Sequence, residues 1–424
     1  MKVLESMLSF LRSKNGKVLA ENFFSLSLLQ VASYAFPLMT YPYLANVIGV
    51  TGFGKIAFAA AIVMYFQTIV DWGFNFTATR DIARNREDMN TISRIFSCVM
   101  WAKIYIMLMC FCVFLMLLFV IPIFFQNRQI LLFTFLLIPC YIFFPEWLFQ
   151  GLERMKYITI LNIVSKLLFT LLVFCVIRKE SDYLWQPLLI AGGYFVSGIC
   201  AMFLVTKKWG VKFVKPTNKD IIYTIKSSWN VFVNQICPNL YNAFSVLLLG
   251  MFAGSMANGI FDAGSKLVNA SQQFFRVISR TFFPYFSRNL SRHRQYAIGY
   301  LCLSFVVSCA LFFLAPLLMK IFFTEEFYEG IWVLRIIAIS GIFMTLNDVY
   351  GTNYLLIVGQ EHLLRNITIV ISVIGFCISF PLIYFYSFVG AALVIGITRS
   401  LLGSTILFYS LKLKRNRSIA MLEI

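Results

Sequence analysis

From end to end, the chain alternates between apolar runs of about 20 residues and short stretches that hold most of its charge. About 20 mainly apolar helical residues cross a hydrocarbon core of about 30 Å. About twelve such runs fit along the sequence, from Val18–Val47 to Val389–Leu411. Covering them in water would need a polar surface that the chain does not have. Hydrophobic residues make up 60% and charged residues 13%, whereas a soluble domain is about a quarter charged. The sequence therefore predicts an all-α, multi-pass integral membrane protein with about twelve transmembrane helices. The first, seventh (Trp229–Met251) and eighth (Gly259–Phe283) runs carry the most polar residues.

The net charge of +18 does not point to a nucleic-acid partner, because the basic residues sit in short clusters between spans. An even number of spans places both termini on one side. Loops and termini on that side hold about 24 basic residues, against about five on the other: Lys55, Arg128, Arg178, Lys179 and Lys320. The basic side, with both termini, is expected to be cytoplasmic. The first apolar run is too long for a cleaved signal and reads as a retained span.

Displaced by about 205 residues, GKIAFAAAIV from Gly54 lies over GIFDAGSKLV from Gly259. A similar displacement brings QGLERMKYIT from Gln150 near VGQEHLLRNIT from Val358. These matches predict two six-helix lobes related by a parallel pseudo-twofold repeat. The expected division is 1–206, a basic linker at 207–228, and 229–424.

GVTGFGKI, from Gly49 to Ile56, has the glycine and lysine spacing of a phosphate loop. Ile56, however, stands where a Ser or Thr would hold magnesium, so the glycines are read as a tight turn. The sequence offers no nucleophile set, no carboxylate pair at catalytic spacing, no metal-ligand spacing and no cofactor motif. The loops opposite the basic side are short. Both features argue against an enzyme.

Charges within the spans carry the functional signal. The cations are Lys103, Lys166, Lys266, Arg276, Arg280, Arg335 and Arg399; the acids are Asp71, Glu146, Asp262 and Asp348. Each costs about 2.5–3.5 kcal/mol near a bilayer centre, so each needs water, an opposite charge or a ligand. In the eighth span Asp262, Lys266, Asn269, Gln273, Arg276 and Arg280 share one helical face. From Lys266 to Arg280 this stripe runs about 21 Å, longer than one ion pair requires. Asn230, Asn234 and Tyr241 line a face of the seventh span, and Tyr34 and Tyr41 one of the first. Together these residues predict a polar chamber with an excess of cations, suited to an anionic cargo. Asp71, Glu146, Asp262 and Asp348 are expected to be ion-pair partners or coupling acids.

PEWLFQGLERMKYIT (Pro145–Thr159), the run from Gly49 to Arg84, and FFPYFSR near Phe282 resemble segments of Wzx-type O-antigen and polysaccharide repeat-unit flippases. That family belongs to the multidrug/oligosaccharidyl-lipid/polysaccharide exporter superfamily. The resemblance covers essentially the whole chain. It implies transfer of undecaprenyl-diphosphate-linked oligosaccharide across a bacterial inner membrane by alternating access of two lobes, with a proton or sodium counter-ion left open. It also implies membrane lipids as partners, with a polysaccharide polymerase and chain-length regulator nearby. Functional roles carry over to Asp71 and Glu146, and Gly151 is implied as a helix-end hinge. A drug or cation antiporter of the same superfamily is the competing reading, followed by a repeat-unit polymerase.

Overall fold

The computed structural model describes the backbone of residues 14–288 and 293–420, and side chains in that range except 14–24, 26, 27, 34, 234, 277, 280–288 and 416–420. Every regular element among these residues is helical, which satisfies backbone hydrogen bonds internally in lipid. Eight helices are long and apolar enough to cross a membrane. Two of them, Leu28–Arg84 (57 residues) and Glu361–Arg415 (55 residues), have the length of two spans each. The first is broken between its two spans at Gly49 (φ 64°) and the second at Ser387 (φ 51°). Glycine meets the first of these at no steric cost. Together with the more polar seventh and eighth segments, Asn218–Phe252 and Gly254–Arg288, these helices account for the twelve spans read from the sequence.

The helices form two compact units. One holds the described residues up to Thr40 together with Val63–Gln235; the other holds Tyr41–Ile62 and the chain from Ile236 onward. This division follows contacts, whereas the lobes at 1–206 and 229–424 follow the sequence repeat. The two differ at the tip joining the first two spans and at the helix Asn218–Ile236. Half of the expected linker 207–228 is in fact helical. Thr217 and Asp220 explain the early start: the Asp220 N–H donates to Thr217 Oγ1 (3.3 Å) and the Thr217 N–H to Asp220 Oδ2 (3.4 Å), a reciprocal cap.

Within the first unit, the second span ends in a turn at Trp72 (φ 44°) and Gly73 (φ 78°). A left-handed Trp is strained. Here it stacks on Phe232 at 4.2 Å and 9°, and its indole N–H donates to the Ile225 carbonyl at 3.0 Å. The fourth span is in three pieces, Arg128–Phe135, Leu137–Ile142 and Glu146–Gly151, with Pro139 in the first turn of the middle piece and Pro145 just before the last. Gly151, implied by the resemblance as a helix-end hinge, is the last residue of Glu146–Gly151 and keeps a helical backbone. A Cβ there would come within 2.8 Å of Ile82, and the left-handed residue is Glu153 (φ 55°). Gly151 is therefore small for packing.

The second unit contains a close helix crossing. A Cβ on Gly54 would lie 1.6 Å from the Ser255 carbonyl oxygen, and one on Gly259 would lie 2.1 Å from the Val50 carbonyl oxygen. Residues 50 and 255, like 54 and 259, differ by 205 positions. The contact is thus reciprocal under the sequence displacement, as a pseudo-twofold repeat requires. Small residues four apart let two backbones approach this closely.

Candidate functional site

The intramembrane charges fall into two different environments. In the first unit they are matched. Lys103, 4% exposed, reaches Asp71 at 2.8 Å. Glu146 accepts from Asn162 Nδ2 at 2.8 Å, and Lys166 donates to Ser33 Oγ. Lys166, Asp71 and Lys103 all act electrostatically on Glu146, so two acids and two cations form one network. Asn162 and Ser33 are members of this network that sequence reasoning missed. The signal for Asn162 was its position one helical turn before Lys166.

In the second unit, the stripe on Gly254–Arg288 resolves residue by residue. Lys266 pairs with Asp262 one turn earlier. Its ammonium also lies 4.0 Å from the Phe53 ring centroid and 4.8 Å from that of Tyr41. Phe53 in turn packs edge-on against Tyr41, Phe323 and Phe327. The Lys266 charge is therefore taken up by a carboxylate and two aromatic faces, the ion-pair outcome left open above. Asn269 is exposed, and Gln273 and Arg276 are half-buried. Asp348 accepts from the Tyr300 hydroxyl at 3.1 Å, in a π-helical stretch over Asn347–Leu355. Arg335 donates to the Phe312 carbonyl at 3.3 Å and lies over the Phe312 and Trp332 rings.

Two cations remain. Arg276 makes no ion pair or hydrogen bond among the described residues. Arg399 is only 6% exposed, and its Nε and Nη1 find no acceptor there. The ionisable groups acting on Arg399 are the Tyr241 phenol and Arg276 itself. Tyr241 is 4% exposed and sits where the seventh span breaks, between the 3₁₀ turn Cys237–Leu240 and the helix Asn242–Phe252. The structure thus gathers Tyr241, Arg276 and Arg399 into one place, a convergence of three distant sequence positions. Asn230 is exposed and belongs to the first unit. The side chains of Tyr34, Asn234 and Arg280 lie outside the described residues.

Chemically, the first unit carries a balanced charge network, and in the second Arg276 and Arg399 make no ion pair among the described residues, although Asp348 and Arg276 both act on Tyr300. Such a pair of guanidinium groups attracts anions and repels cations.

Residues 19–290 match the family described as "Polysaccharide biosynthesis protein". A Shigella dysenteriae protein named "Putative O-antigen transporter" is 28% identical over 394 residues, 90% of this chain and 97% of its own. A protein of the same name from Escherichia coli K12 is 27% identical over 406 residues, 93% of this chain and 97% of its own. The fold is similar to that of the lipid II flippase MurJ in an inward closed conformation, with TM-score 0.69 and 14% identity, covering 93% of this chain and 87% of that one. With 272 consecutive residues matched, from 19 to 290, the chain belongs to the polysaccharide biosynthesis protein family of multi-pass membrane proteins, as its Wzx-type flippase segments had implied.

Proposed function

We propose that the protein moves an oligosaccharide carried on undecaprenyl diphosphate from the cytoplasmic to the periplasmic leaflet of a bacterial inner membrane, by alternating access and with both termini in the cytoplasm. The observation that carries this reading is the pair Arg276 and Arg399, intramembrane cations without an acidic partner among the described residues. A diphosphate meets that excess; a cationic drug does not, which disfavours the antiporter reading. Arg276, half-buried, is the more accessible of the two and is assigned to the cargo phosphate. Gln273 and the exposed Asn269 are assigned to sugar hydroxyls. The protein performs no covalent chemistry in this scheme. It hands its cargo to a polymerase and chain-length regulator.

The test is complementation of a deletion strain. Arg276→Ala is expected to insert at normal levels, fail to restore surface polysaccharide, and leave lipid-linked repeat units in the cytoplasmic leaflet. Arg276→Lys is expected to keep part of the function, since an ammonium attracts phosphate but cannot grip it bidentately. Full restoration by the alanine variant would overturn the assignment.

A further inference from the structure

A cavity of about 270 Å³ lies within the first unit, among the elements that carry the basic loops. Three elements wall it: the helix Phe74–Arg84, the first turns of the third span, Met89–Val120, and the helix Asn218–Ile236. Its size approaches that of small-molecule sites, which begin at about 300 Å³. Its floor is apolar, formed by Ala78, Val99 and Cys98, each at most 5% exposed. Asp81, Arg94 and Asp220 stand at the rim, where their side chains reach solvent.

The rim has no net charge, because Asp81 meets Arg80 at 3.1 Å and Asp220 meets Arg94 at 2.7 Å. Its spare hydrogen-bonding capacity is uneven. Asp220 is already taken up, since its second oxygen accepts from the Thr217 hydroxyl at 2.8 Å. Asp81 accepts through Oδ1 alone and Arg94 donates through Nη2 alone among the described residues, so each keeps free positions. The hydroxyls of Thr224 and Ser227, also in the wall, donate to the carbonyls of Asp220 and Thr224, both at 2.9 Å. Toward the cavity they can therefore only accept. A guest that carries both an ammonium and a phosphate fits this rim: the ammonium donates to Asp81 and the hydroxyls, and the phosphate accepts from Arg94.

The position of the cavity selects among such guests. Arg94 and Cys98 share one helical face with Trp101, Tyr105, Leu108 and Cys112, at steps of 4, 3, 4, 3 and 4. Tyr105, Leu108 and Cys112 are exposed. From Arg94 to Cys112 this face runs about 27 Å, close to a hydrocarbon core of about 30 Å. The cavity thus sits at the foot of a lipid-facing strip, at headgroup level. We propose that it binds the headgroup of an aminophospholipid, with the ammonium at Asp81, the phosphate at Arg94 and an acyl chain along Tyr105 and Leu108. The lipid would then tie the start of the third span to the helix Asn218–Ile236, beside the Arg94–Asp220 pair. The site is independent of the cargo assignment, which rests on Arg276 in the second unit.

The experiment uses purified full-length protein in detergent, stripped of lipid. Phosphatidylethanolamine, phosphatidylcholine or phosphatidylglycerol, all with the same short acyl chains, is titrated in while thermal unfolding is recorded. A saturable rise in melting temperature is expected with phosphatidylethanolamine. A clearly weaker one is expected with phosphatidylcholine, whose ammonium has no N–H to donate, and with phosphatidylglycerol, which has no ammonium. Asp81→Asn is expected to weaken phosphatidylethanolamine about tenfold and to leave the phosphatidylglycerol response unchanged, a difference that a general loss of stability would not produce. Ser227→Phe, at an exposed position on the wall, is expected to block the cavity and lower the phosphatidylethanolamine response with every rim charge in place. Equal responses to the three lipids, a stronger response to phosphatidylglycerol, or an unchanged preference in both variants overturns the site. A rise of the same size with soluble phosphoethanolamine overturns the lipid as occupant. Each of these results leaves the flippase reading standing, and restoration of polysaccharide by Arg276→Ala leaves the lipid site standing.

Discussion

At the scale of single residues, an intramembrane charge means different things depending on what it touches. Lys266 looked from sequence like a cation facing cargo, but its ammonium is held by Asp262 and the rings of Phe53 and Tyr41. Removing one partner of a buried charged pair leaves the other desolvated, at a cost of about 3–5 kcal/mol where the pair is fully buried. Lys266→Met and Asp262→Asn are therefore each expected to lower the amount of folded protein in the membrane. The double variant is expected to recover most of it, because the methionine still packs on Phe53 and no charge is stranded. Quantitative immunoblotting after detergent extraction reads the result; double-variant levels no better than the worse single would refute the pairing account. The same logic applies to Asp71, whose neutralisation strands Lys103 at 4% exposure. Asp71→Asn is expected to reduce folded protein, and Asp71→Asn with Lys103→Met to restore it. A coupling role would instead leave protein levels intact and remove gradient dependence of transport. Sequence could show that Asp262 and Lys266 stand one turn apart. It could not show that Phe53, more than 200 positions away, covers the pair, nor that Arg399 Nε and Nη1 find no acceptor among the described residues, because both depend on tertiary approach.

Among the helices, the most constrained feature is the crossing of Val50–Gly54 with Ser255–Gly259. Helix backbones cannot yield by rotating a side chain, so a methyl group placed 1.6 Å or 2.1 Å from a carbonyl oxygen forces the helices apart. Gly54→Ala and Gly259→Ala are each expected to lower the melting temperature of the purified protein, and by similar amounts, because the two contacts are reciprocal. Gly192→Ala is the control. It is helical, and its Cβ would meet nothing within 4 Å, so alanine should gain about 0.5–1 kcal/mol from helix propensity. A loss at Gly192, or no loss at the crossing, would remove the argument. This element was partly legible beforehand: the displacement that laid Gly54 over Gly259 also laid Val50 over Ser255. The break of the seventh span at Cys237–Leu240 was visible only as Pro238. The helical start at Asn218 was hidden in a basic stretch, where the Thr217–Asp220 cap outweighs the charge repulsion.

For the whole molecule, the loop contacts and the charge bias give independent constraints on topology. The sequence places the turn near Gly49 and the segment near Glu326 on one side of the membrane, and the basic loops on the other. The structure joins loops only within each of these sets, among the contacts it describes: the Val50 N–H donates to Glu326 Oε2 at 3.2 Å, whereas Arg86 pairs with Glu153 at 2.6 Å and Arg94 with Asp220 at 2.7 Å. A missed or added span would have put one of these partners across a bilayer of about 30 Å. The alternation of spans is therefore internally consistent, and charge alone decides which side is which. The basic loops carry about 24 Lys and Arg against about five, a bias that predicts a cytoplasmic location for the Lys207–Lys226 cluster. A reporter enzyme active only in the periplasm should be active when fused near Glu326 and silent when fused at Lys215. A cytoplasm-active reporter at the same sites should give the opposite pattern. Inversion of both patterns would reverse the orientation while keeping the fold, and with it the direction of transfer assigned to Arg276. Activity of one reporter at both sites would mean that the span count itself is wrong between Lys215 and Glu326, the stretch that contains the broken seventh span and the charged eighth.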